Sequence, residues 1–267
     1  MSTQPNAGAG LLDGNVVVVS GVGPGLGQAI ALRCAGQGAD LVLAARTKDR
    51  LDEVAEQVRA LGRRALVVPT DITDADSAAA LCDAAMAEFG RVDTLVNNAF
   101  KIPSRKPFSQ TDFAHIHEAI ELTVFGALRL TQLFTDALAE SAGAVVNINS
   151  MVLRHSQERY GSYKLAKTAL LSMSQSLATE LGPQGIRVNS VAPGFIWGPT
   201  LQGYFAHQAD KYGTTVEEIY AHTAANSDLR RLPEPDQISD AVVFLASPMA
   251  AAITGQCIDV NCGEYHH

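Results

Sequence analysis

Several things are scarce in this chain of 267 residues. Four cysteines occur, Cys34, Cys82, Cys257 and Cys262, with no C-x-x-C pair and no dense spacing. That argues against a disulfide framework and fits free thiols in a reducing cytoplasm. There is no block of basic residues, and the net charge is −8. Nucleic acid and anionic membrane are therefore poor partners. No apolar run reaches the roughly 18 residues of a membrane-spanning helix. His115 and His117 stand two apart, on different faces of a helix, so no metal site is expected. The opening MSTQPNAGAG lacks both a basic start and a long apolar centre. It reads as a loose tail over residues 1–11, not as a signal peptide. No internal repeat or interdomain linker is visible.

What is abundant is apolar. Hydrophobic residues make up 47% and charged residues 18%, enough for one large core over residues 12–267. Short apolar runs alternate with helical stretches. The predicted strands are Asn15–Ser20, Ala39–Ala45, Ala65–Pro69, Val92–Val96, Ala144–Ile148, Arg187–Val191 and Gln256–Val260. The predicted helices are Gln28–Gly36, Lys48–Leu61, Ala75–Phe89, Phe113–Leu138, one carrying Tyr163, and Asp236–Leu245. This alternation predicts an α/β fold, a doubly wound parallel sheet with helices on both faces. Residues 199–232 break the rhythm and read as a lid or substrate loop.

The first strand runs into a glycine turn and then a helix. Gly21 permits a tight turn, Gly25 lets backbone approach a pyrophosphate, and Gly27 lets helix pack on strand. Gly21, Gly25, Leu26 and Gly27 are thus candidate cofactor contacts. At the end of the second strand stand Ala45 and Arg46, where an NAD-preferring site would carry a carboxylate. A guanidinium can bind a 2′-phosphate bidentately, so NADP(H) is the preferred cofactor and NAD(H) a possible one. The bland alternative is that Arg46 merely opens a solvated helix. Gly21, Arg46, Asp71, Asn98 and Ser150 all fall at strand ends, where ligands bind in such sheets.

Ser150 follows an apolar strand. Tyr163 comes thirteen residues later, and Lys167 four after that. Phenol and ammonium then share one helix face. A nearby cation favours the phenolate, and a serine hydroxyl can hold the substrate oxygen. The chemistry fits carbonyl–alcohol interconversion. Tyr160 and Lys164 have the same spacing, but Lys167 lies deeper in the apolar run and Gly161 leaves Tyr160 before the helix.

The segments SGVGPGLG (20–27), TDI (70–72), NNA (97–99), NINS (147–150), YKLAK (163–167) and RVNSVAPGFI (187–196) resemble the short-chain dehydrogenase/reductase family, over residues 12 to 264. The resemblance implies a Rossmann-type sheet of about seven strands and a nicotinamide cofactor. It implies Ser150 as holder of the substrate oxygen, Tyr163 as general acid/base and Lys167 as binder of the nicotinamide ribose. Asp71 and Ile72 would meet the adenine, Asn98 and Ala99 the cofactor, and the backbone of Pro193, Gly194 and Ile196 the nicotinamide. A homo-oligomer is expected, a tetramer.

Three departures stand out. Phe100 replaces the glycine of the family's NNAG. Counting back three from Gly126 gives Thr123, where the family has an asparagine credited with holding a proton-relay water. Thr123 is read as its shorter substitute, with its hydroxyl turned to the Ala119 carbonyl; the competing reading is that Thr123 is mere packing and the relay is absent or runs elsewhere. Gly198 stands where the family has a threonine, whose contact would move to Thr200. Phe195, Trp197, Leu201, Tyr204 and Phe205 make the expected mouth large and apolar. The substrate is then a small-molecule secondary alcohol or ketone, bulky and apolar. Reduction of a 3-oxoacyl thioester is the alternative, with Lys101, Arg105 and Lys106 as a hint of a carrier patch. A cofactor-binding protein with little turnover is the alternative from outside enzymology.

Overall fold

The structure is a computed structural model describing residues 10–266. Residues 1–9 of the expected loose tail lie outside them. Gly10 and Leu11 belong instead to a turn, where the Leu11 N–H donates to Gln37 Oε1 at 3.2 Å and Leu12 is buried.

The sheet has seven parallel strands in the order β3-β2-β1-β4-β5-β6-β7. They are β1 (Val16–Ser20), β2 (Asp40–Ala45), β3 (Ala65–Pro69), β4 (Thr94–Asn97), β5 (Ala144–Ile148), β6 (Arg187–Pro193) and β7 (Cys257–Val260). Their central strands are apolar runs because both faces are covered. On one face α1 (Leu26–Gly36), α2 (Lys48–Ala60) and α9 (Pro235–Ala246) cover Val17, Val19, Leu41 and Leu43. On the other, α3 (Ala75–Phe89), α4 (Phe113–Ile120), α5 (Gly126–Ser141) and α6 (Gly161–Leu181) follow the sequence order. There Leu81, Leu130, Phe134 and Leu177 bury Val16, Val18 and Leu95. The order reverses between β1 and β4, which opens a crevice at the strands' carboxyl ends.

Three expectations change. The fourth strand starts at Thr94, not Val92. Asp93 is occupied before the ladder begins, accepting from the Val16 N–H at 2.8 Å and from Arg91. The single long helix is two helices joined by a π-helical turn, Glu121–Phe125. Residues 199–232 are not a loop but carry α7 (Pro199–Tyr212) and α8 (Val216–Ala224). Thr215 and Glu218 form a capping box that starts α8.

Candidate active site

The crevice holds a cleft of about 790 Å³. Its floor at one end is the glycine turn. A Cβ on Gly21 would lie 2.6 Å from the Ala99 nitrogen, and one on Gly27 would lie 2.3 Å from the Gly21 carbonyl oxygen. Glycine is thus required for the packing of turn on strand and helix. Gly25 has φ +91° and open space beside it, and no side chain caps the first turn of α1. The free N–H groups of that turn fit a pyrophosphate. Asn98 holds the opposite rim, its Nδ2 donating to the Gly21 carbonyl at 2.7 Å.

Gly21, Gly25, Leu26, Gly27, Arg46, Asp71, Ile72, Asn98, Ala99, Pro193, Gly194 and Ile196 all line this cleft, with Ser150, Tyr163 and Lys167. Thr200 lines it too, at the start of α7. The Asp71 carboxylate accepts from the Thr73 hydroxyl at 2.7 Å and the Thr73 N–H at 3.0 Å. Those bonds hold its pKa below the usual carboxylate value. Ile72 is pinned behind it, its carbonyl taking Arg129 at 2.6 Å.

Arg46 makes no hydrogen bond or ion pair among the described residues. Sequence reasoning missed its neighbours. Thr47 precedes α2 with its side chain uncommitted to capping, and Arg50 stands one turn further on. Both line the cleft. Arg50 binds Glu53 and Gln28, while its Nε is buried without a partner. The legible signal was a second arginine four residues after Arg46, in the first turn of α2 just past the end of β2.

At the other end, Ser150 follows β5 and hydrogen-bonds to Tyr163. Tyr163 and Lys167 rise from the first two turns of α6. Lys167 is 1% exposed, and its Nζ donates to the Ile148 carbonyl at 2.6 Å. Burial pushes its pKa down to about 7. Burial also pushes the Tyr163 phenol up to about 12, against the opposing bond from Ser150. Burial, and not the expected lowering by Lys167, is the largest influence on the phenol. The ammonium lies 5.7 Å from the Tyr163 ring centre and is directed to a backbone carbonyl. A phenol with its pKa raised by burial is neutral at pH 7 and carries the proton a general acid needs.

The rival pair is placed elsewhere. Tyr160 precedes α6, and Lys164 donates to the His155 carbonyl at 2.7 Å and to Ser156 Oγ at 3.1 Å. Neither lines the cleft. Thr123 is also not brought there. It lies in the π turn, 3% exposed, and its neighbour Leu122 lines the cleft instead. The expected bond to the Ala119 carbonyl is absent among the described residues, because the π turn replaces the α-helical spacing that it requires. Asn149, unflagged by the sequence reading, lines the cleft with both amide atoms buried and unpartnered. Of the expected apolar mouth, only Leu201 lines the cleft. Trp197 packs on Tyr220 and Phe205, at 4.7 and 5.6 Å between ring centres, inside the lid's own cluster with Phe195 and Tyr204.

Comparison with known proteins agrees with this fold. A family profile described as enoyl-(acyl carrier protein) reductase matches residues 21–265. The cis-4-hydroxycyclohexanecarboxylate dehydrogenase of Sinomonas cyclohexanicum is 36% identical over 93% of this chain and 95% of its own. A 7α-hydroxysteroid dehydrogenase solved with NADH and 7-oxo glycochenodeoxycholic acid superposes with a TM-score of 0.85, at 33% identity and 94% coverage of both chains. The L-sorbose reductase of Gluconobacter frateurii, solved with NADPH and L-sorbose, has a TM-score of 0.89, 29% identity, and coverage of 95% and 97%. The chain belongs to the short-chain dehydrogenase/reductase family. It is an NAD(P)-dependent oxidoreductase. No helix among the described residues is long and apolar enough to cross a membrane.

Proposed function

We propose that this enzyme interconverts a bulky, apolar secondary alcohol and its ketone, with NADP(H) as preferred cofactor. The observation that carries the reading is one cleft with Ser150, Tyr163 and Lys167 at one end and the glycine turn with Arg46 at the other. The nicotinamide, when bound, supplies or accepts the hydride. Ser150 and Tyr163 hold the substrate oxygen between them. In reduction the Tyr163 phenol gives its proton to that oxygen, and in oxidation the phenolate takes it back. Lys167 sits behind Tyr163 to bind the ribose and stabilise the phenolate. Arg46, Thr47 and Arg50 would hold a 2′-phosphate. Two relatives are named for a hydroxyl on a cyclohexane and on a steroid, which supports a ring-bearing substrate here. The four cysteines are free, as suits a cytoplasmic protein.

A 3-oxoacyl thioester is the second reading; the matched family description shares the acyl carrier with it, but names an enoyl double bond and not a 3-oxo group. Against it, Lys101 is ion-paired with Glu118 and Arg105 lies 4.8 Å over the Tyr204 ring. Two of the three cations of the supposed carrier patch are thus engaged. The test mixes purified protein with NADPH and either a bulky ketone or an acetoacetyl thioester, following nicotinamide absorbance. Faster oxidation with the ketone supports the first reading, and faster oxidation with the thioester replaces it.

A further inference from the structure

Phe100 stands where the family's NNAG has glycine, and the mechanism above gives it no task. Its ring meets the Tyr163 ring edge-on, with centres 6.0 Å apart and planes at 61°. The Lys167 Nζ lies 5.5 Å from its centre. It is nevertheless 47% exposed, and Ile102 beside it is 58% exposed. Apolar side chains bared in the wall of a cleft mark a contact surface.

The ring is also held in place. On one side the Asn98 N–H donates to the Ser20 carbonyl at 2.9 Å, and its side chain binds Gly21. The close approach of Ala99 to Gly21 leaves the backbone no room to retreat. On the other side Lys101 is paired with Glu118. A second cavity, of about 880 Å³, adjoins the main cleft and shares Arg46, Asp71, Phe100, Ile102 and Leu122 with it. Phe100 therefore stands, with Ile102 and Leu122, in the apolar part of a wall common to two spaces, its backbone fixed at both flanks.

We infer that Phe100 is a specificity-determining residue that selects substrates whose carbinol carbon belongs to a ring. This rests on the ketone–alcohol reading of the site. A substrate oxygen held at Ser150 and Tyr163 brings the adjoining carbons against the Phe100–Ile102–Leu122 wall. A rigid ring meets that wall with little loss of conformational freedom, whereas an open chain must give up rotamers to do so. A flat aromatic surface suits the broad apolar face of such a ring. Removing the ring takes the flat face out of that wall and abolishes the difference between the two shapes.

The test compares trans-2-decalone with 2-decanone, equal in carbon number, using NADPH and purified protein. The kcat/KM ratio, ring over chain, is measured for wild type, Phe100→Gly, Phe100→Leu and Phe100→Tyr. A ratio cancels any effect of the ring on Lys167, which would slow both ketones alike. In wild type the ratio favours decalone. It falls about tenfold in Phe100→Gly, chiefly through KM, in the range expected for one lost apolar contact in a pocket. Phe100→Leu keeps bulk without the flat face and lies between, and Phe100→Tyr restores the wild-type ratio. A Phe100→Gly ratio equal to wild type overturns the inference, even if both rates drop. Wild-type protein that reduces neither ketone with NADPH or NADH overturns the reading of the site itself, and the inference with it.

Discussion

The Lys167 ammonium donates to the Ile148 carbonyl at 2.6 Å, across the end of β5. This bond fixes a buried amine directly behind Tyr163, at the point where Ser150 leaves the same strand. The three side chains are thereby set by one strand end and one helix start. Their separation along the chain, so regular in the sequence, is the length of the connection between those two elements.

Lys167 gives a pH dependence of stability. Its pKa in the folded protein is pushed down to about 7 by burial, against about 10.4 in an unfolded chain. Between those values the unfolded state binds the extra proton. Stability contributed by this site therefore rises as pH increases from about 7 toward 10. Thermal melts of wild type and Lys167→Met across that range should show the difference in Tm narrowing or reversing in favour of wild type as pH rises. A difference independent of pH would contradict the assigned environment of Lys167.

Thr123 should be dispensable for proton transfer. It lies off the cleft in the π turn, buried and without the Ala119 bond. Thr123→Val is expected to keep kcat within about threefold of wild type across pH 6 to 9, because a typical acid–base role is worth at least 10²-fold. A pH-dependent loss of 10²-fold would return Thr123 to the relay.

The cofactor end can be switched. Ala45→Asp places a carboxylate where the ribose hydroxyls bind, and it would repel a 2′-phosphate. The ratio of kcat/KM for NADPH over NADH should fall by tenfold or more. Arg46→Ala should lower the same ratio without a new attraction for NADH. Wild-type protein that already binds NAD⁺ more tightly than NADP⁺ would refute the role given to Arg46.

The sheet was legible because its central strands, such as β1 and β5, are buried on both faces and appear as short, mostly apolar runs. Ala65–Pro69 and Ala144–Ile148 are found where they were predicted. The π turn at Glu121–Phe125 was not legible, since the apolar spacing of α4 and α5 reads equally well as one helix. Whether the lid aromatics face substrate or pack on one another was not legible, for a related reason. Side-chain size shows that Trp197 and Phe205 need burial, but not whether substrate or another aromatic provides it. Arg50 was overlooked because its alternative, a salt-bridged surface arginine, is also true: it binds Glu53 as well as lining the cleft.

The expected homo-oligomer would make use of exposed apolar side chains on the long helices. Phe113 and Phe125, on α4 and the turn after it, are bared, as are Leu133 on α5 and Leu165 on α6. Pairing of these helices between subunits would cover them, and a tetramer is expected. Sedimentation at micromolar concentration should show a species near four times 28.2 kDa. A single 28.2 kDa boundary would contradict this.

The role of Tyr163 is the centre of the account, and one comparison tests it most directly. NADPH oxidation with a bulky ketone is followed for wild type, Tyr163→Phe and Tyr160→Phe, with folding checked by thermal melt. Tyr163→Phe should lose about 10²-fold or more in kcat, the usual share of a general acid, while Tyr160→Phe keeps most of it. A folded Tyr163→Phe enzyme that turns over as fast as wild type, or a Tyr160→Phe enzyme that is the crippled one, would contradict it.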